Sequence, residues 1–174
     1  MRPSRNALLL AWALSVGAAH ADAVDDATKL YRSGQVDQAL QLAESTIAAQ
    51  PRDARMRFLK GVMLSEQQRN AEAEQVFVAL TQDFPELADP YNNLAVIYAG
   101  EGRLPDALLA LQSALRNDPG HRAARENLGD VYLALAIEAW QAARRLGRGD
   151  DADLQRKLRL AREIQPAAGL RPPG

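Results

Sequence analysis

Few residues in this chain could carry chemistry. There is no cysteine, and the two histidines are His20 and His121. Zinc and other transition-metal sites built from His and Cys are therefore out of reach within one subunit, and disulfide staples are excluded. His121 follows Pro119-Gly120 in a turn, with no motif around it that would make a Ser-His-Asp set. It reads as a solvated loop residue. The carboxylate pairs Asp25-Asp26 and Asp150-Asp151 are adjacent in sequence and fall at predicted helix starts, where the helix dipole is reason enough for them. Gly100-Glu101-Gly102 does not follow a strand, so it is a turn and not a phosphate loop. No catalytic residue, metal site or cofactor is expected, and the chain reads as a non-enzyme. What remains is a pair of side-chain amides, Asn93 and Asn127, spaced by 34 residues. An amide donates and accepts at once, matching both polar groups of a peptide unit.

The elements that must position these amides are helices. Between Asp89 and Pro119, Tyr91 is followed by Leu94, the small Ala95 and Tyr98; Ala107 precedes Leu111 by four, and Pro119 closes the unit. Leu94, Ile97 and Tyr98 share one face at helical spacing, Ala95 and Ala107 let two antiparallel helices approach, and Gly102 makes the turn. One such hairpin cannot bury its apolar face alone, so recurrence decides the matter. Pro51, Pro85 and Pro119 lie 34 residues apart; so do Ala39, Ala73 and Ala107, and so do Gly61, Ala95 and Gly129. Leu94 returns as Leu128, and Tyr98 as Tyr132, both read as core residues. On these residues the chain resembles the tetratricopeptide repeat (TPR) family over roughly Val24 to Asp153. The resemblance implies an all-α fold, a right-handed TPR α-solenoid of about four antiparallel helix hairpins plus a C-terminal capping helix.

Residues 1–21 are of another kind. Arg2 and Arg5 precede an apolar run from Ala7 to Ala19, and no acid appears before Asp22. About 13 apolar residues are too few for a membrane helix, which takes about 20. They suit a cleaved secretory leader, with cleavage after Ala21 or Ala23. Losing two arginines and no acid makes the chain more negative than its formal −1, which gives no reason to expect nucleic acid or an anionic membrane as partner. The expected address is periplasmic or secreted, with no lipid anchor on a cysteine and no integral membrane segment after cleavage.

The TPR domain is expected over 24–165. The first repeat, about 20–53, is degenerate, as suits a solenoid end. The second, 54–87, carries Phe58, Val62, Ala73 and Phe77, and its turn lacks glycine; Asn70 is placed to cap the following helix. The third is 88–121. The fourth, 122–155, diverges: no glycine or asparagine interrupts Asp130 to Leu146, and the apolar residues keep helical steps without a phase break. Either its two helices merge into one from about Arg122 to Leu146, or a tight turn falls near Ala136. Gly147-Arg148-Gly149 stops this segment. A capping helix follows, about 151–165, started by Asp150 or Asp151 and carrying Leu154, Leu158, Ala161 and Ile164 on one face with a basic outer side. Residues 166–174, rich in proline, read as a disordered tail.

What the resemblance implies about function is a non-enzymatic interaction module whose concave groove, lined by the first helix of each hairpin, holds an extended peptide or partner segment. Carried over by repeat position, the binding residues are Asn93, Asn127, Asn92, Val96 and Asp130, with Phe58 and Val62 as an apolar patch. On this reading the asparagines face the groove and folding scarcely depends on them. Positions that clamp a C-terminal carboxylate in some members hold Val24, Thr28, Phe58 and Glu126 here, which argues against that mode. The alternative is a structural subunit that self-associates, a homo-oligomer; a small-ligand receptor or enzyme lacks a site.

Overall fold

The computed structural model describes residues 23–147 and 151–164. The expected leader and the proline-rich tail lie outside the described residues, as do Arg148 and Gly149 of the expected helix stop. Within them the regular structure is helical: α1 (23–32), α2 (Val36–Ala49), α3 (Ala54–Glu66), α4 (Asn70–Asp83), α5 (Ala88–Gly100), α6 (Leu104–Asn117), α7 (Arg122–Leu146) and α8 (Ala152–Ile164). The chain divides into two compact units, residues 1–76 and 77–174, with the boundary inside α4. In the N-terminal unit α2 packs on α3; in the C-terminal unit α5 packs on α6, α6 on α7 and α7 on α8, so most contacts join neighbours in the chain.

The hairpins arise from a turn that recurs with the sequence period. Each of the first three ends its leading helix on a residue with positive φ: Gly34 at 82°, Gln68 at 61° and Gly102 at 75°. Around Gly102, its own N–H donates to the Ala99 carbonyl at 3.1 Å and Arg103 N–H to the Tyr98 carbonyl at 2.8 Å; the same pair of bonds forms at Gly34-Gln35 and at Gln68-Arg69. This is the Schellman closure, which satisfies orphan carbonyls and reverses the chain. Arg69, and not Asn70, stands before α4: Asn70 is the helix's first residue, while Arg69 accepts from Ala73 N–H at 3.0 Å and its guanidinium pairs with Glu72 at 2.7 Å. The expected capping by Asn70 is thereby corrected. That guanidinium hydrogen bond also holds the Glu72 carboxyl below the ordinary carboxylate range.

Gln68 occupies a conformation that costs a residue with a Cβ about 1–2 kcal/mol, and its side chain is exposed. Gln68→Gly is expected to raise stability by about 0.5–1 kcal/mol after the entropy of glycine in the unfolded chain is deducted. A higher urea midpoint at unchanged slope is the signature; a lower midpoint would show that the Gln68 side chain stabilises the turn.

The fourth hairpin does not turn. The residue 34 places after Gly102 is Ala136, a strong helix former whose Cβ opposes positive φ, and the next residue, Ile137, is buried against Leu158 and Ala161 of α8. The phase-continuous spacing accordingly gives one helix of 25 residues, Arg122–Leu146, with no break at Ala136. Leu133 and Trp140 cover the same small core, so α8 shields the distal half of α7. Asp151 starts α8, its carboxylate accepting from Leu154 N–H at 3.0 Å. Three apolar expectations fail here. Tyr132 is 51% exposed although it repeats Tyr98, Leu146 is 85% exposed, and Ile164 is 71% exposed while Leu158 and Ala161 of its helix face are buried. Tyr132 and Leu146 lie on α7, which runs on as a single helix; no folded-back second helix of the hairpin is there to cover them.

Candidate interaction surface

Two first helices of the C-terminal unit, α5 and α7, carry most of the residues singled out from the sequence. Their starts are tied together by His121. Its Nδ1 accepts from Ala124 N–H at 3.1 Å, capping α7, so in the neutral ring the proton sits on Nε2, which donates to Asp89 Oδ1 of α5 at 2.9 Å. Only 9% of this side chain is exposed, which corrects its reading as a solvated loop residue. A signal for that role was available: Asp53, Leu87 and His121 precede α3, α5 and α7 at intervals of 34, and Asp53 caps α3 in the same manner, accepting from Met56 N–H at 3.0 Å.

One turn further on, Asn127 Nδ2 donates to Asn92 Oδ1 at 3.0 Å, and both residues are fully buried. The Nδ2 of Asn92 has no hydrogen-bond partner among the described residues. Asn93, 5% exposed, donates from Nδ2 to the Asp89 carbonyl at 2.9 Å, one turn back in its own helix. These contacts correct the expectation that Asn92, Asn93 and Asn127 present free amides to a peptide and that folding scarcely depends on them. The equivalence of Asn93 and Asn127 in the repeat does not extend to their partners. Asn127 bonds a residue 35 places earlier, and the counterpart of Asn92 on α7 is Glu126, which is exposed and pairs with Arg122 at 2.9 Å.

Val96 on α5 and Asp130 on α7 are half-buried, so they keep surface that hairpin packing does not use. Phe58 and Val62 are half-buried as well, on α3 in the N-terminal unit. Asp89, Glu126 and Asp130 put carboxylates on α5 and α7, Asp89 paired with His121 and Glu126 with Arg122, while Arg125 is exposed on α7. Tyr98 is shielded from this surface by Arg103, whose guanidinium carbon lies 4.0 Å from the ring centre. Among the described residues no group of three or more His, Asp and Glu side chains could hold a metal ion. No described helix is long and apolar enough to cross a membrane.

Comparison with known proteins bears on what such a surface is for. The tetratricopeptide repeat profile matches residues 24–88 and 92–152. No curated protein sequence matches the chain. Among solved structures, a MamA protein superposes with a TM-score of 0.62 at 20% identity, over 84% of this chain and 82% of its own. The first TPR of Spaghetti (RPAP3), bound to the HSP90 peptide SRMEEVD, superposes at 0.61 with 17% identity, over 66% of this chain and 90% of its own. A tetratricopeptide repeat protein from Parabacteroides merdae ATCC 43184 gives 0.60 at 16% identity, over 83% of this chain and 57% of its own. At such identities the likeness is one of fold.

Proposed function

The chain belongs to the tetratricopeptide repeat family, all-α solenoids of helix hairpins, and from that premise we propose that it is a non-enzymatic interaction module holding an extended segment of a partner protein. The observation that carries this reading is the 3.0 Å Asn127–Asn92 bond, which ties α5 to α7 while Val96 and Asp130 on the same helices remain partly open. A groove wall needs this combination: buried polar groups that set the spacing of two helices, and uncommitted side chains beside them. Val96 offers an apolar contact. Asp130 favours a lysine, an arginine or a backbone N–H of the partner. Phe58 and Val62, half-buried on α3, offer an apolar contact of their own in the N-terminal unit. A solved relative in fold holds the peptide SRMEEVD; here Val24, Thr28, Phe58 and Glu126 stand where basic clamp residues would be needed, so the segment bound is of different chemistry.

The test is binding by full chain carrying Val96→Asp and Asp130→Lys. Loss of one apolar contact and reversal of one partly exposed charge are expected to weaken partner capture from envelope extract by about 1–2 kcal/mol, roughly five- to thirtyfold at 1.4 kcal/mol per tenfold. The melting temperature should stay near wild type, because neither side chain is in the core. Undiminished capture would remove α5 and α7 from the binding surface.

We place this module outside the cytoplasm, on the strength of Arg2, Arg5 and the apolar run that follows. Mass spectrometry of exported protein is expected to find the N-terminus at Asp22 or Val24. Intact protein beginning at Met1 in the cytoplasm would overturn the assignment.

A further inference from the structure

Away from the α5–α7 face, α7 and α8 enclose a cleft of about 560 Å³ lined by Arg144, Gln155, Leu158, Arg159, Arg162 and Glu163. Three arginines and one glutamate share this lining. Among the described residues, Arg144, Arg159 and Arg162 form no ion pair and no hydrogen bond. Of the two other cations on this helix, Arg156 and Lys157, neither lines the cleft; Lys157 pairs with Asp153 at 2.7 Å, and that hydrogen bond holds the Asp153 carboxyl below its usual range. The cleft floor is Leu158, 2% exposed, which packs with Ile137 and Ala161. The helices that carry the arginines are therefore fixed to each other by a small apolar core, and the charges are presented from two sides of a defined space.

We propose that this cleft is a second binding site, which takes a short acidic segment of a partner protein with its carboxylates on Arg144, Arg159 and Arg162. A guanidinium pairs a carboxylate bidentately, and arginine is the residue suited to such planar recognition. Arg159 and Arg162 stand one helical turn apart, and Arg144 reaches in from the other helix, so more than one carboxylate is accommodated. The volume falls in the range of sites that enclose a peptide fragment, not a single ion. A nucleic acid or an anionic membrane would need a continuous basic face. Here Glu163 lies in the lining, Asp151 caps α8 and Asp153 lies in its first turn; the whole chain is net negative. The cleft is distinct from the α5–α7 surface, since it shares none of the residues assigned to that surface.

Fluorescence anisotropy of a labelled hexaglutamate peptide with the full chain tests the site. Saturable binding is expected, weaker at 150 mM than at 50 mM salt because exposed charges are screened over about 10 Å. Arg159→Glu with Arg162→Glu should weaken it about tenfold, the scale of two exposed ion pairs turned repulsive. The milder pair Arg144→Gln and Arg159→Gln should weaken it severalfold without a change in melting temperature, which guards against loss through misfolding. Arg32→Glu on α1 and the Val96→Asp, Asp130→Lys variant should bind as wild type. The proposal is overturned if hexaglutamate does not bind, if hexaglutamine binds equally, or if Arg32→Glu weakens binding as much as the cleft variants. It is also overturned if phosphatidylserine vesicles or oligothymidylate bind more tightly than hexaglutamate through the same arginines, which would assign the cleft to a membrane or to nucleic acid.

Discussion

Asn127→Ala is expected to destabilise the protein by about 1–3 kcal/mol, because it deletes a buried hydrogen bond and leaves Asn92 Oδ1 without a partner. Asn92 already carries one unsatisfied buried amide nitrogen, so the truncation would strand both of its polar atoms. Asn92→Ala should cost about 0.5–1.5 kcal/mol, the loss of the hydrogen bond that Asn92 Oδ1 accepts from Asn127. Replacing both by leucine, which approximates the shape and removes all the polar atoms, should come close to wild type, since a matched apolar pair carries no desolvation penalty. The pair is thus expected to show a coupling energy of about 0.5–3 kcal/mol in a double-mutant cycle. Urea midpoints of the three variants check this. A midpoint unchanged in Asn127→Ala would mean that the amide is not buried as described.

Ala95→Leu should cost a comparable amount by the opposite route. Ala95 on α5 and Ala107 on α6 are both fully buried, in the two helices that pack most extensively in the C-terminal unit. Small residues at both places set the distance between the helix axes. Three extra heavy atoms have no void to enter, and overpacking of this kind costs about 1–3 kcal/mol in displaced backbone and strained rotamers. In a domain of this length each kcal/mol moves the melting temperature by roughly 2–4 °C. A melting temperature within a degree of wild type would mean that the repeat register places Ala95 on the wrong side of α5.

The hairpins were legible from Ala39, Ala73, Ala107 and the prolines at 34-residue intervals, because close helix approach and chain reversal each demand a residue type at a fixed place. The length of α7 was legible too, as one of two alternatives, since an unbroken apolar phase without glycine has no position that favours a turn. The asparagines were not. Repeat position assigns Asn93 and Asn127 one role, whereas their hydrogen bonds depend on what stands opposite, and Asn127 bonds Asn92. Such pairings cross the period by one residue and leave no trace in any single repeat. His121 was misread for a related reason: Pro119-Gly120 marks a turn, but the ring reaches back 32 residues to Asp89 and forward to Ala124. The basic side of α8 was visible as composition, while its closure into a cleft required Arg144 from α7.

The packing of each helix on its neighbours in the chain has a consequence for the order in which structure is gained. Bringing α5 to α6, or α6 to α7, closes only a short loop, so little chain entropy is lost before contacts reward it. Ordering therefore spreads stepwise from the α5–α6 hairpin, where burial is densest, and each added helix finds a template already in place. Opening runs in reverse from the ends, where α1 adds Ala27 and α8 adds Leu158 and Ala161 to the buried residues. The arginine cleft is thus among the parts formed late and lost early, and an acidic segment bound there would act as a clasp on one end of the array.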